Sequence, residues 1–166
     1  MKINLKFIIL LLFFVFLQII WYNHLKLYGR FVPIFYIYPF LILSFSQNNL
    51  QLLIAFFSGL LLDIFLQTGG VFTAATVFIV YFRKLIIIPF LNNRRNEDNI
   101  NPLQFTFNNK ILYYGLSILL SILLINFLES LSFSYVLHKV PLFIINTLLS
   151  LIIIIFIDYL FFNKAE

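Results

Sequence analysis

The sequence predicts an all-α polytopic membrane protein, a single bundle of six transmembrane helices. Three observations predict it. Hydrophobic residues make up 63% of the 166-residue chain and charged residues only 10%, with a mean hydropathy of +1.04, whereas soluble domains are near half apolar and a quarter charged. The apolar residues fall into runs of about the length that crosses a bilayer, joined by short polar links. No polar stretch is long enough to form a separate soluble unit, so residues 1–166 read as one integral membrane domain.

The first span is expected over residues 5–22, with Lys2 before it and Lys6 at its start, closed by Trp21 and Tyr22 at the far interface. Its apolar core is too long for a secretory leader, and no small-x-small cleavage site follows. The second, over 31–45, is short and holds Pro33 and Pro39, so it is either kinked or begins at Pro33. Tyr36 and Tyr38 suit an interfacial belt. The third span covers 50–66 and the fourth 71–91, joined through Gly69-Gly70. The apolar run 71–82 reaches only about 18 Å, short of a hydrocarbon core of roughly 30 Å. Arg83 and Lys84 then either snorkel from one long tilted helix, the favoured reading, or mark a break with 85–91 along the interface. The charged stretch around Arg94, Arg95, Glu97 and Asp98 reads as a surface loop. The fifth and sixth spans are expected over 111–128 and 142–162. Asn146, Ser150 and Asp158 fall on one stripe of the sixth, although Asp158 reads more simply as a headgroup-level residue near the helix end.

Asp63 is the exceptional residue, a carboxylate inside an otherwise apolar run. Such a group costs roughly 2.5–3.5 kcal/mol on insertion scales and so faces protein or water. Ala55, Gly59 and Asp63 are spaced four apart and share one helical face. Small residues there allow close approach of another helix, and the acid can find a donor across the contact. Gly69, Gly70 and Ala74 extend the candidate packing and partner-binding set. A structural seam tolerates Asp63→Asn, because an amide still hydrogen-bonds, but not Gly59→Leu; a charged functional contact gives the opposite result. Asp63 and Arg83 lie at opposite depths and are not expected to pair.

Charge sets the orientation. With six spans and the N-terminus inside, Lys2, Lys6, Arg83, Lys84, Arg94, Arg95, Lys110 and Lys164 are cytoplasmic, eight of the 11 basic residues. Lys26, Arg30 and Lys139 are the three left outside. Both termini are then cytoplasmic and the Gly69-Gly70 bend faces outward.

Catalytic signals are thin. His24 and His138 stand in outer links, no His/Asp/Glu group has metal-ligand spacing, and cysteine is absent. No catalytic triad order, phosphate loop or dinucleotide fingerprint is present, and no basic stripe suits nucleic acid. Asp63, Glu129 and His138, all near the outer face, form only a weak constellation. The expectation is a non-enzyme with neither cofactor nor metal, in contact with membrane lipid.

The hairpin Phe57-Ser58-Gly59-Leu60-Leu61-Leu62-Asp63-Ile64-Phe65, followed by Gly69-Gly70, Ala74-Ala75 and Tyr81-Phe82-Arg83, resembles the signature of the rod shape-determining MreD family. Residues 53–83 carry nearly all of this resemblance; elsewhere only length and hydropathy match. The resemblance implies a non-enzymatic scaffold of cell elongation in the bacterial cytoplasmic membrane. Its implied partner is the single-span protein MreC, and through it cytoplasmic MreB and the peptidoglycan synthase RodA with its transpeptidase. It also implies a bundle like the substrate-binding subunits of ECF transporters. That leaves a second class open, an ECF-type subunit for uptake of a small vitamin-like molecule. Such a subunit needs converging polar groups, and only Asp63, Asn126, Glu129 and Asn146 are available. Their paucity favours the scaffold.

Overall fold

A computed structural model of the chain describes residues 5–24, 32–44, 49–87 and 101–162. Among these residues the protein is helical, with no strand. The helices are α1 (Leu5–His24), α2 (Tyr38–Ile42), α3 (Asn49–Leu66), α4 (Val71–Ile87), α5 (Phe107–Ser130), α6 (Phe133–His138) and α7 (Val140–Phe162). Four of them, α1, α3, α5 and α7, are long and apolar enough to cross a membrane. The cluster Arg94, Arg95, Glu97 and Asp98 lies outside the described residues, as do Lys2, Lys26, Arg30 and Lys164.

α4 runs through Arg83 without a break, as far as Ile87. A 3-10 turn at Pro102–Gln104, opened by the Asn101 side chain accepting from the Leu103 N–H at 3.2 Å, leads into α5. α5 starts four residues before the expected span and ends where Leu131 turns left-handed (φ 48°). The link to the last span contains the short helix α6.

The second segment differs most from expectation. In place of a helix over 31–45, residues 32–35 are extended and α2 has only five residues. The two prolines account for this. Pro33 sits in extended backbone, and Pro39 occupies the first turn of α2, where its missing N–H is harmless. Residues 33–43 are all buried. Tyr36 and Tyr38 are therefore core residues, not an interfacial belt. Around them the core is aromatic, with Phe14 against Tyr38 (ring centroids 5.5 Å) and Tyr38 against Tyr114 (6.2 Å).

Irregular backbone away from water must find side-chain partners. Gln18 of α1, fully buried, supplies two: its Nε2 donates to Pro33 O (3.1 Å) and its Oε1 accepts from Phe35 N–H (3.0 Å). Ser150 Oγ of α7 accepts from Ile34 N–H at 2.8 Å. Further along, the Tyr38 hydroxyl donates to Asp158 Oδ1 (2.9 Å), which the Tyr114 hydroxyl also reaches (3.3 Å). Lys110 Nζ pairs with Asp158 Oδ2 at 3.0 Å. Asp158 is thus buried, 9% exposed, and ties α2 and α5 to α7 near the ends of both long helices. The stripe of Asn146, Ser150 and Asp158 faces inward along its whole length.

Arg83 is likewise not a snorkelling residue. It is 2% exposed and closes the C-terminal end of α2, donating to the carbonyls of Phe40, Leu43 (3.0 Å) and Ser44 (3.4 Å) and to Gln51 Oε1. A helix that ends inside a bundle leaves carbonyls unsatisfied, and a guanidinium carries the forked donors and positive charge that suit them.

Candidate functional site

The α3–α4 hairpin is the most extensive helix pair. On α3 the residues Gln51, Ala55, Ser58, Gly59, Leu62 and Asp63 are buried, an inward stripe of helical period. Gly59 lies against the backbone of α4. A Cβ added there would sit 2.5 Å from Thr73 Cα and 2.9 Å from Phe72 O, closer than side-chain carbons approach. Only hydrogen allows this contact. Ala55, one turn earlier, packs in a cluster with Phe7, Leu11, Phe40, Leu43 and Val80.

Asp63 forms the other half of the contact. Its Oδ1 accepts from Phe72 N–H (2.9 Å) and the Thr68 hydroxyl, and its Oδ2 from Thr73 N–H (2.8 Å) and the Thr73 hydroxyl. Phe72 and Thr73 are the second and third residues of α4, so Asp63 caps α4 from the neighbouring helix. Negative charge at a helix N-terminus is also favoured by the helix dipole. The turn between them takes left-handed backbone at Gln67 (φ 56°), Gly69 (φ 64°) and Gly70 (φ 100°). Glycine adopts such angles without the Cβ penalty.

Of the six candidate residues, Ala55, Gly59 and Asp63 therefore face inward, and Gly69 and Gly70 shape the exposed turn. Ala74 does not join the seam. The buried positions of α4 are 72, 75, 76, 79, 80 and 83, and Ala74 falls on the outer side of that phase. The helix that uses the Ala55–Gly59 face belongs to the same chain. Arg83 and Asp63 have separate partners, in line with their expected separation.

At the hairpin-turn end of the bundle, α1, α4, α5 and α7 surround a cavity of about 180 Å³. Gln18, Tyr22, Val32, Ile34, Phe72, Ile122, Ile125, Asn126, Glu129, Lys139, Leu142 and Asn146 line it. Three of the four polar residues weighed for a ligand site, Asn126, Glu129 and Asn146, thus converge. Asp63 is not among them; it lies behind Phe72, whose N–H it holds. Gln18 gives its amide to residues 33 and 35. Asn126 Nδ2 donates to Ile122 O (2.8 Å), within its own helix. Asn146 is 8% exposed, and its Oδ1 is buried with no hydrogen-bond partner.

Gln18 and the capping role of Arg83 escaped the sequence reading. The available signal for Gln18 was the one that singled out Asp63, a polar residue within an apolar span. Among the described residues no three His, Asp or Glu side chains are grouped to hold a metal ion. No protein-family model matches the chain, and neither a curated protein nor a solved structure matches it.

Proposed function

We propose that the chain is a non-enzymatic scaffold of the bacterial cell-elongation machinery, similar in role to MreD, in the cytoplasmic membrane with both termini inside. In this reading it links an MreC-like single-span protein and cytoplasmic MreB to RodA and its transpeptidase. The observation that carries it is local: Gly59, Asp63, Gly69 and Gly70, on which the resemblance rests, are the residues that lock the α3–α4 hairpin. A rigid hairpin presents a fixed outer face to other helices. That face carries Leu53, Phe57, Leu60 and Ile64, all exposed on α3 opposite the seam. A partner helix would meet this stripe, since the small-residue face is taken by α4.

Depleting the protein should turn elongated cells round or swollen, and mild-detergent purification should bring down an MreC-like partner. Normal shape on depletion would sink the scaffold reading. The cavity favours a second reading, a substrate-binding subunit. Its volume of about 180 Å³ is below the roughly 300–1,000 Å³ typical of pockets for drug-sized ligands, so a vitamin would require the bundle to open. Co-purification with an ATPase pair would support that alternative.

A further inference from the structure

We propose that the cavity at the hairpin-turn end is a binding site for a compact primary ammonium group, carried by a free small molecule or by a lipid headgroup. The argument starts from Asn146. Its Oδ1 is buried and unpartnered, and the side chain lines the cavity. A buried acceptor without a donor is costly, so a site that keeps one calls for a donor from outside the chain. Two more acceptors line the same space. Asn126 commits its amide nitrogen to Ile122 O, which leaves its oxygen to offer, and Glu129 stands one turn further along α5 with a carboxylate. Two amide oxygens and a carboxylate match a group with three N–H donors and no acceptor, which is what a primary ammonium is.

Charge and size narrow the guest. Glu129 favours a cation, although Lys139 on the same wall already acts on it and offsets part of that attraction, so the two amide oxygens hold the guest as much as charge does. A cavity of about 180 Å³ is slightly larger than one of roughly 150 Å³ that takes benzene, so it holds a handful of heavy atoms. A trimethylammonium group is excluded on chemistry, because it donates no N–H bond. This inference goes beyond the scaffold reading and does not depend on it.

The test measures thermal unfolding of the purified full-length chain in two arms. In detergent, glycine, ethanolamine and O-phosphoethanolamine are compared with choline and phosphocholine. In nanodiscs, phosphatidylethanolamine is compared with phosphatidylcholine. A saturable rise in midpoint with a soluble primary amine identifies a free small molecule as the guest. A rise confined to phosphatidylethanolamine discs identifies the headgroup. At a hundredfold excess over Kd the rise should be about 5–10 °C. Glu129→Gln, at an exposed position where the fold is not at stake, should weaken binding about tenfold or more, and Asn146→Leu should do the same. The proposal is overturned if neither arm responds to primary amines, if the trimethylammonium counterparts act equally, or if Glu129→Gln binds as tightly as the parent. A failed binding test would leave the shape phenotype of a scaffold untouched, so the two readings fall separately.

Discussion

Asp63 shows how a single oxygen can matter more than a charge. Both of its carboxylate oxygens accept from donors, two of them backbone N–H groups of α4. Asparagine would replace one acceptor by an NH2 group, setting donor against donor at either Phe72 or Thr73. The tolerance expected of Asp63→Asn in a packing seam is therefore revised: we predict a loss of about 1–3 kcal/mol, read as a lower unfolding midpoint and reduced membrane abundance. Gly59→Ala should lose a similar or larger amount, since its one methyl meets backbone that cannot rotate away. Wild-type midpoints in both variants would show that the hairpin is not held this way. The shared face of Gly59 and Asp63 was legible from their spacing. The identity of the donors was not, because they lie five, nine and ten residues on, in and beyond a turn whose path the sequence does not specify.

At the scale of elements, the segment 32–44 is where hydropathy misleads. An apolar run facing lipid and one buried in protein have the same composition, so its interior position had no compositional mark. Its prolines did announce that it is not a regular helix. The tyrosines misdirected because aromatic residues suit both an interface and a core, and the hydroxyls of Tyr36 and Tyr38 find partners in Thr76 and Asp158. The segment depends on Gln18, whose loss would orphan Pro33 O and Phe35 N–H at roughly 1–3 kcal/mol each. We expect Gln18→Leu to accumulate poorly in membranes although it makes α1 more apolar. Normal accumulation with an unchanged midpoint would contradict this account.

For the whole molecule, the helical membrane class was legible because 63% apolar composition leaves few alternatives; the eight-to-three division of basic residues is an expectation about orientation, and it counts Arg83, which the fold buries inside α4. Reporter fusions at Asn99 and Glu166 should accordingly be active only with cytoplasmic-type reporters; periplasmic activity at Asn99 would exclude the six-span orientation. Which helix faces which was beyond the sequence, since the contacts that decide it are made by single polar groups. Most of these serve the chain's own backbone, as Ser150 and Arg83 do. Asn126, Glu129 and Asn146 line one cavity because α5 and α7 bring two successive turns of one helix against a turn of the other.

The long reach between residues 34 and 150 sets a schedule for biogenesis. Ile34 waits for a partner made 116 residues later, and Tyr38 for one made 120 residues later. At 5–20 residues per second a ribosome needs roughly 6–24 s to close that gap. Throughout that interval the Ile34 amide and the Tyr38 hydroxyl lack their α7 partners, while Gln18, made earlier, can already hold Pro33 O and Phe35 N–H. Chains truncated after residue 140 and released should remain sensitive to membrane proteases, and chains truncated after residue 162 and released should become resistant. Equal resistance at both lengths would mean that the early segment finds its place without α7.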